Sequence, residues 1–149
     1  MKTSRKPWRT KLRPEMQPEL VTDPKGRGLM LLPTPMLVAE EMGKVYAGQL
    51  LTVSALRERM ARRFKADLSC PLMTGIFYNL VAGATEEYLA EGKAPLAPYW
   101  RVIPDNGILS PKTPFGPERQ AEHLQQEGHK VQPKKEKLEV VGFRGALVP

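Results

Sequence analysis

The sequence predicts a mostly α-helical domain with a small β wing, a winged helix-turn-helix, and three observations favour this class. Apolar side chains recur at helical spacing in two stretches, near residues 34–46 and 53–65. After the short connection 66–69, Pro71 suits the first turn of a third helix. The turn signal Asp105-Asn106-Gly107 is flanked by the short segments Arg101 to Ile103 and Ile108-Leu109, and so predicts a hairpin or wing.

Residues 1–33 are expected to form a basic N-terminal arm, because repeated prolines deny this segment a long helix. The arm could lie along phosphates, Trp8 could tie it to the domain surface, or it could be a disordered solubilising tail. Its first basic residues are Lys2, Arg5, Lys6, Arg9, Lys11 and Arg13. The domain itself is expected to span 34–130, and residues 131–149 to form a basic tail with an edge strand near 138–143.

The first two predicted helices differ in what they present to solvent. Thr34 can cap the first, which runs to about Tyr46 and has a broad apolar face typical of core scaffold. The second runs from Val53 to about Lys65, with Thr52 or Ser54 as its cap. Its remaining surface carries the candidate phosphate contacts Arg57, Arg59, Arg62, Arg63 and Lys65.

The third helix, from Pro71 to about Leu89, contains no Arg or Lys and so differs from a typical major-groove reader. Its first half offers Thr74, Gly75, Tyr78 and Asn79 on the face predicted to be exposed. Small residues there would allow close approach to a narrow groove, with basic neighbours supplying the affinity. They could equally admit a neighbouring helix.

The last part of the chain is more polar. A helix is expected from Pro117 to about Gly128, with Leu124 as its main apolar anchor. His123 and His129 are expected to be exposed to solvent, and a basic stretch follows at 130–137.

The formal net charge of +7 is segregated along the chain, which favours nucleic acid over a generally basic surface as its explanation. Positive charge is concentrated in residues 1–27 and 57–65, whereas 66–92 contains acids and no Lys or Arg. No apolar run is long enough to cross a bilayer and no secretory signal is recognisable, so we expect a cytoplasmic protein.

Sequence motifs of enzyme chemistry are missing. No Gly-rich phosphate loop, H-E-x-x-H pair or nucleophile elbow occurs, and we expect no cofactor and no metal. The single cysteine, Cys70, excludes an intramolecular disulfide and a cysteine-based zinc cluster. Its place at a helix start could make it reactive, but a half-buried structural thiol is the expectation.

The segment 97–103, Ala-Pro-Tyr-Trp-Arg-Val-Ile, is unusual for a core strand. Tyr99 and Trp100 are large apolar residues with polar tips, and the Arg101 guanidinium can stack on a ring or bind a phosphate or base edge. The segment also fits a strand that enters a core with Arg101 directed outward. On a true strand, at most one of Tyr99 and Trp100 could line a pocket.

From about Gly43 to Gly128, the order of features resembles the C-terminal DNA-binding domain of alkylguanine DNA alkyltransferases, and more closely the alkyltransferase-like proteins. The family's Pro-Cys-His-Arg-Val segment corresponds to Pro98-Tyr99-Trp100-Arg101-Val102, and alkyltransferase-like proteins have Pro-Trp-His-Arg there. Tyr99 therefore takes the position of the alkyl-accepting cysteine. Further similarities are Gly48 and Thr52 upstream, and Gly107, Gly116, Gln120, Leu124 and Glu127-Gly128 downstream.

Three positions depart from the family pattern. The phosphate-contacting tyrosine is replaced by Val53, and the hinge asparagine falls near Glu91. The arginine that fills the gap left by a flipped base, three residues before a helix glycine, falls on Leu72. The family's N-terminal domain is also missing, as it is in alkyltransferase-like proteins.

The resemblance implies a non-enzymatic protein that binds double-stranded DNA and holds a flipped or alkylated base for repair, with other repair proteins as further partners. Its candidate DNA- and lesion-binding residues are Thr52, Ser54, Thr74, Gly75, Tyr78, Asn79, Tyr99, Trp100, Arg101 and Ser110. The alternative is a protein-interaction or generic DNA-binding module that kept the fold and lost lesion recognition.

Overall fold

Four helices and three small sheets form the part of the chain described by the computed structural model, residues 6–149. Lys2 and Arg5 of the expected arm lie outside the described residues. The helices are α1 (Pro35–Met42), α2 (Val53–Arg63), α3 (Pro71–Ala90) and α4 (Pro117–Gln126). The strands are β1 (Glu19–Thr22), β2 (Leu29–Leu32), β3 (Leu51–Thr52), β4 (Leu68–Ser69), β5 (Val102–Ile103), β6 (Lys130–Lys134) and β7 (Lys137–Val141).

The helix starts follow from local chemistry. Thr34 and Thr52 cap α1 and α2, and their hydroxyls accept hydrogen bonds from the backbone N–H of Leu37 at 3.0 Å and of Ala55 at 3.1 Å. Proline opens the other two helices at Pro71 and Pro117, where no intrahelical N–H donor is needed. The four helices confirm the prediction of a mostly helical domain, and its small β part lies in short strands, mostly elsewhere than expected.

One core joins the helices to the segment around Tyr99. The largest fully buried side chains include Tyr99, Leu31, Met42, Leu56 and Met60. Tyr99, Trp100 and Arg101 form a short 3-10 turn directly before β5, and Tyr99 is completely buried. β5 then pairs in parallel with β3, which brings this segment beside the start of α2.

The described part of segment 1–33 packs against the domain, which agrees with the alternative in which Trp8 ties the arm to the domain surface. β1 and β2 form an antiparallel hairpin, and β2 also pairs in parallel with β4. Leu31 of β2 is completely buried, and Trp8 lies so close to α3 that a Cβ on Gly83 would be 2.2 Å from its ring. The segment folds because its apolar residues reach core positions, despite its prolines and charge.

The expected hairpin around Asp105-Asn106-Gly107 is wrong, although the chain does turn there. Gly107 N–H donates to the Pro104 carbonyl, but residues 102–103 pair with β3 rather than with 108–109. Ile108 instead bridges Glu139 of β7, which forms a hairpin with β6 in the expected tail. Among the described residues, no helix has the length and apolarity needed to cross a membrane.

Candidate functional site

A groove of about 430 Å³ with largely apolar walls lies at the start of α3. The N-terminal end of α2, the first half of α3 and the loop 104–113 form most of it, and Val102 of β5 and Gln120 of α4 complete its inner wall. Its lining residues are Val53, Pro71, Leu72, Gly75, Ile76, Tyr78, Asn79, Val102, Pro104, Ser110, Lys112, Thr113 and Gln120. The walls are largely apolar, with a few polar groups, which is the usual composition of a ligand site.

Two polar side chains fix the inner wall of the groove. The Tyr78 hydroxyl lies 3.1 Å from the carbonyl oxygens of both Tyr99 and Val102. Gln120 of α4 donates to the carbonyls of Trp100 and Val102, each at 3.3 Å. Burial raises the pKa of Tyr78, so its hydroxyl remains a protonated donor. Helices α3 and α4 thus hold the 3-10 turn behind the groove.

The outer loop is attached to α2 through Asp105. Its carboxylate accepts hydrogen bonds from the Ser54 backbone N–H at 3.1 Å and from the Ser54 hydroxyl. A carboxylate here also complements the positive end of the α2 dipole. Gly107, with φ of 77°, faces Phe143 so closely that a Cβ would lie 2.4 Å from its ring. Only glycine therefore fits this turn.

The Tyr99 side chain points away from the groove into a buried polar cluster. Its hydroxyl donates to Glu86 Oε2 at 2.7 Å, and Glu86 also bonds His123 Nε2 at 2.7 Å and Arg119 Nε at 2.8 Å. Burial and the adjacent Glu86 carboxylate raise the pKa of Tyr99. Burial would raise the pKa of Glu86, but hydrogen bonds from Arg119, Tyr99 and His123 outweigh it and lower that pKa.

His123 is buried, so the expectation of a solvent-exposed histidine is wrong. Its ring stacks on Trp100 with centroids 4.0 Å apart and an angle of 16° between the planes. The apolar side of α4 turns His123 inward, where Glu86 satisfies its Nε2 atom. Trp100 is 7% exposed and packs on α4, with no surface in the groove.

The Arg101 guanidinium forms hydrogen bonds within the molecule. Its guanidinium pairs with Glu127, at 3.0 Å from Nε to Oε1 and 2.6 Å from Nη2 to Oε2, and donates to the Val45 carbonyl at 2.7 Å. Burial tends to raise the pKa of Glu127, but the bonds from Arg101 keep it below its ordinary value. Arg101 therefore joins the 3-10 turn to the end of α4 and to the chain after α1.

Only some of the predicted DNA- and lesion-binding residues lie in the groove. Gly75, Tyr78, Asn79 and Ser110 lie together in the groove, and Thr52 and Ser54 lie at the adjoining start of α2. Thr74 was expected on the exposed face but is completely buried, and its hydroxyl donates to the Cys70 carbonyl at 2.8 Å. Tyr99, Trp100 and Arg101 lie behind the groove rather than in it.

The predicted phosphate contacts are divided in the same way. Arg57 is on the groove side, in a shallow depression that also includes Arg27 and Pro71, and it donates to the Ser54 hydroxyl at 3.2 Å. A different depression contains Arg59, Arg62 and Arg63. Arg59 donates to the Pro149 carbonyl at 2.8 Å, and Arg63 pairs with Glu40 and Glu41. Lys65 is exposed after the end of α2.

Sequence reasoning missed the acidic partners and the apolar rim. Glu86 and Glu127 have no local sign of burial, although Glu127-Gly128 was part of the family resemblance. Leu72 and Ile76 are 72% and 49% exposed on consecutive turns of α3. Their spacing of four residues was available in the sequence, and it places both on one face.

The sequence matches no known family model and no curated protein. Solved structures do match. One is S. pombe Atl1 in complex with damaged DNA containing O6-carboxymethylguanine, with 16% identity, a TM-score of 0.54, and coverage of 77% of this chain and 94% of that one. Another is S. pombe ATL in complex with DNA, with 16% identity, a TM-score of 0.55 and the same coverage. The chain therefore has the fold of the alkyltransferase-like protein Atl1.

Proposed function

We propose that this protein binds double-stranded DNA without changing it chemically and holds a base extruded from the duplex in the α3 groove. One observation carries the proposal: the groove is formed by the helix-turn-helix α2–α3 in the fold of Atl1, whose solved complexes contain DNA. Alkylated guanine is the candidate ligand, and other repair proteins would have to act on the bound lesion.

The chemistry of the groove suits an extruded base. Apolar surface from Val53, Leu72 and Ile76 can contact the faces of a flat ring, while Asn79 and Ser110 can bond its polar edge. Stacking supplies about 1–3 kcal/mol per base, which is comparable with the few kcal/mol needed to unstack it. Phosphate contacts must therefore supply most of the net affinity, and binding should weaken steeply with salt.

The position of Tyr99 supports a function without alkyl transfer. The family resemblance places Tyr99 where the alkyl-accepting cysteine stands, but its hydroxyl is buried against Glu86 and its pKa is raised. A phenol that is hard to ionise and faces away from the groove is a poor nucleophile. Incubation with duplex carrying a labelled methyl group on guanine should leave the label on the DNA, and its transfer to protein would contradict this assignment.

Gly75→Glu tests the groove directly. Gly75 is exposed on α3 with open space around it, so the new side chain fits the fold, and replacing glycine within a helix should raise stability by about 0.5–1 kcal/mol. The same change places bulk and negative charge in the groove. We expect fluorescence anisotropy to report at least a tenfold higher Kd for duplex DNA, with a melting temperature that is unchanged or higher.

Ala90→Glu is the matched control, since it adds the same charge at the other end of the same helix, where Ala90 is exposed. It should change the Kd much less than Gly75→Glu does. Equal effects from the two variants would mean that only net charge matters, and the groove would lose its assigned role.

A protein partner is the second candidate for this surface, and the exposed Leu72 and Ile76 favour it. An apolar helical face is unusual for a DNA reader, because base edges and phosphates are recognised by polar groups. If the unaltered protein failed to bind duplex DNA at low salt, the protein-interaction function would replace the DNA-binding one.

A further inference from the structure

We propose that the tip of the β6–β7 hairpin is a phosphate-binding wing, which contacts the DNA backbone beside the α3 groove through Lys135 and Lys137. This inference rests on the proposed DNA-binding function, and adds to it a contact site outside the helix-turn-helix. The sequence predicted no role for the basic stretch 130–137, which folds into this hairpin.

The hairpin has the charge that the proposal needs. Lys130, Lys134, Lys135 and Lys137 are all exposed, and the two acids among residues 130–141 are Glu136 and Glu139. Lys134 is paired with Glu139 at 3.3 Å, while no ion pair with another described residue is formed by Lys135 or Lys137. Two lysines at the tip are therefore available for phosphate oxygens.

The position of the hairpin supports the same role. Leu109 N–H donates to the Leu138 carbonyl, and Val140 N–H donates to the Gly107 carbonyl, so β7 is attached to the loop that forms the outer wall of the groove. Pro111 shares a depression with Lys135 and Lys137, and its neighbours Ser110 and Lys112 line the groove. Since adjacent Cα atoms are about 3.8 Å apart, the hairpin and the groove rim lie on two sides of one narrow loop.

The backbone at the tip places Lys135 in a tight turn. Lys134 pairs with Lys137, so Lys135 and Glu136 form a two-residue turn, and Lys135 has φ of +57°. Two-residue hairpin turns favour Gly or Asn at such positions, since a side chain there is strained. Positive φ also occurs at Arg13, Lys65 and Phe115, so strain alone assigns no role; at Lys135 it accompanies an exposed positive charge beside the groove rim.

The double variant Lys135→Gly/Lys137→Ala tests the wing. Glycine relieves the turn, so the melting temperature should stay the same or rise. Affinity for a duplex at low salt should fall roughly tenfold, and the slope of log K against log salt should shrink by about 1.8 for two lost phosphate contacts. A loss of DNA affinity without a loss of folding stability would show that the lysines bind DNA rather than support the fold.

Arg13→Gly/Lys93→Ala is the charge control, although Lys93 is paired with Glu91 at 3.0 Å. Arg13 also has positive φ, +49°, and follows the 3-10 turn Trp8–Lys11, which packs on the C-terminal half of α3. Lys93 lies just beyond the end of α3 and is exposed. The control removes the same charge away from the groove, and should leave the salt slope nearly unchanged.

The outcomes distinguish the wing from the function on which it rests. If Gly75→Glu weakens binding but the hairpin variant matches the unaltered protein, the wing is wrong and the groove stands. Equal losses for the hairpin variant and its control would leave only general charge attraction, which also overturns the wing. Loss of DNA binding by the unaltered protein itself would overturn both the proposed function and the wing.

Discussion

At the scale of single residues, Arg101 shows how a familiar motif can have a structural role. The sequence places it beside two aromatic residues, and the family resemblance makes it a lesion-binding candidate. In the structure its guanidinium is bound to Glu127 and to the Val45 carbonyl, and only 16% of its side chain is exposed. Such a bidentate pair positions the 3-10 turn rather than a ligand.

Arg101→Ala is therefore expected to lower stability rather than DNA affinity. It leaves the Glu127 carboxylate half-buried without its partner, which should lower the free energy of unfolding by about 3 kcal/mol. Chemical denaturation measures the stability, and DNA binding is measured at a temperature where the variant remains folded. Adding Glu127→Ala should restore part of the lost stability. A large drop in affinity with unchanged stability would return Arg101 to the binding site.

Among the secondary-structure elements, α3 has different surroundings along its length. Its first half forms the groove, and its second half packs against Trp8 at Gly83. Trp8 and Arg9 N–H groups donate to the Glu87 carboxylate at 2.7 and 3.0 Å. One long helix therefore connects the candidate binding surface to the N-terminal segment.

A pair of glycine substitutions on α3 tests this division. Gly83→Ala would place a Cβ 2.2 Å from Trp8, so the ring must move, and we expect a loss of about 2 kcal/mol in stability. Gly75→Ala has open space around it and should gain about 0.5–1 kcal/mol from helix propensity. Urea denaturation measures both changes. Limited proteolysis should also cleave the N-terminal segment faster in Gly83→Ala, and equal stability of the two variants would contradict this packing.

The helices of this fold were easier to predict from the sequence than the strand pairings. All four helices were predictable because caps and prolines are local signals, as at Thr34 and Pro71. The hairpin at 105–107 was mispredicted because its flanking residues have stronger non-local partners, Thr52 for Ile103 and Glu139 for Ile108. Pairing between distant segments depends on tertiary packing, which local patterns do not encode.

The candidate site was predicted only in part, for a related reason. Gly75, Tyr78 and Asn79 lie together in the groove because helix periodicity places them on one face, and Ser110 faces them from the loop 104–113. Thr74 was placed on the wrong face, since α3 is apolar nearly all round and its buried side is hard to identify. The partner of Tyr99 is Glu86, thirteen residues away in the sequence, and only the fold brings them together.

At the scale of the whole molecule, buried acid–base contacts join the helices and should make the fold sensitive to acid. Glu41 bonds Lys44 and Arg63, Glu86 bonds Arg119, and Glu127 bonds Arg101. Although burial opposes it, these bonds lower the pKa of each carboxyl group. The bond from Arg27 likewise lowers the pKa of Asp23 to about 2.

Stability should therefore be constant from neutral pH to about pH 5 and fall below it. A carboxyl whose pKa is lower in the folded state stabilises the fold above its unfolded pKa, near 4.5 for Glu, and loses that effect as the pH falls through the folded value. Urea midpoints between pH 7 and pH 2 measure the profile, and Glu86→Gln should flatten its acid limb. A midpoint that rises between pH 5 and pH 3 would contradict these contacts.

In the proposed function, the α3 groove binds an altered base in duplex DNA without repairing it. The most direct measurement is a titration of the protein with matched duplexes that contain either guanine or an O6-alkylguanine, at about 50 and 200 mM salt. We predict that affinity for both duplexes falls steeply with salt, and that roughly tenfold tighter binding to the alkylated duplex persists at both concentrations. Equal affinity for the two duplexes at both salt concentrations would contradict the claim.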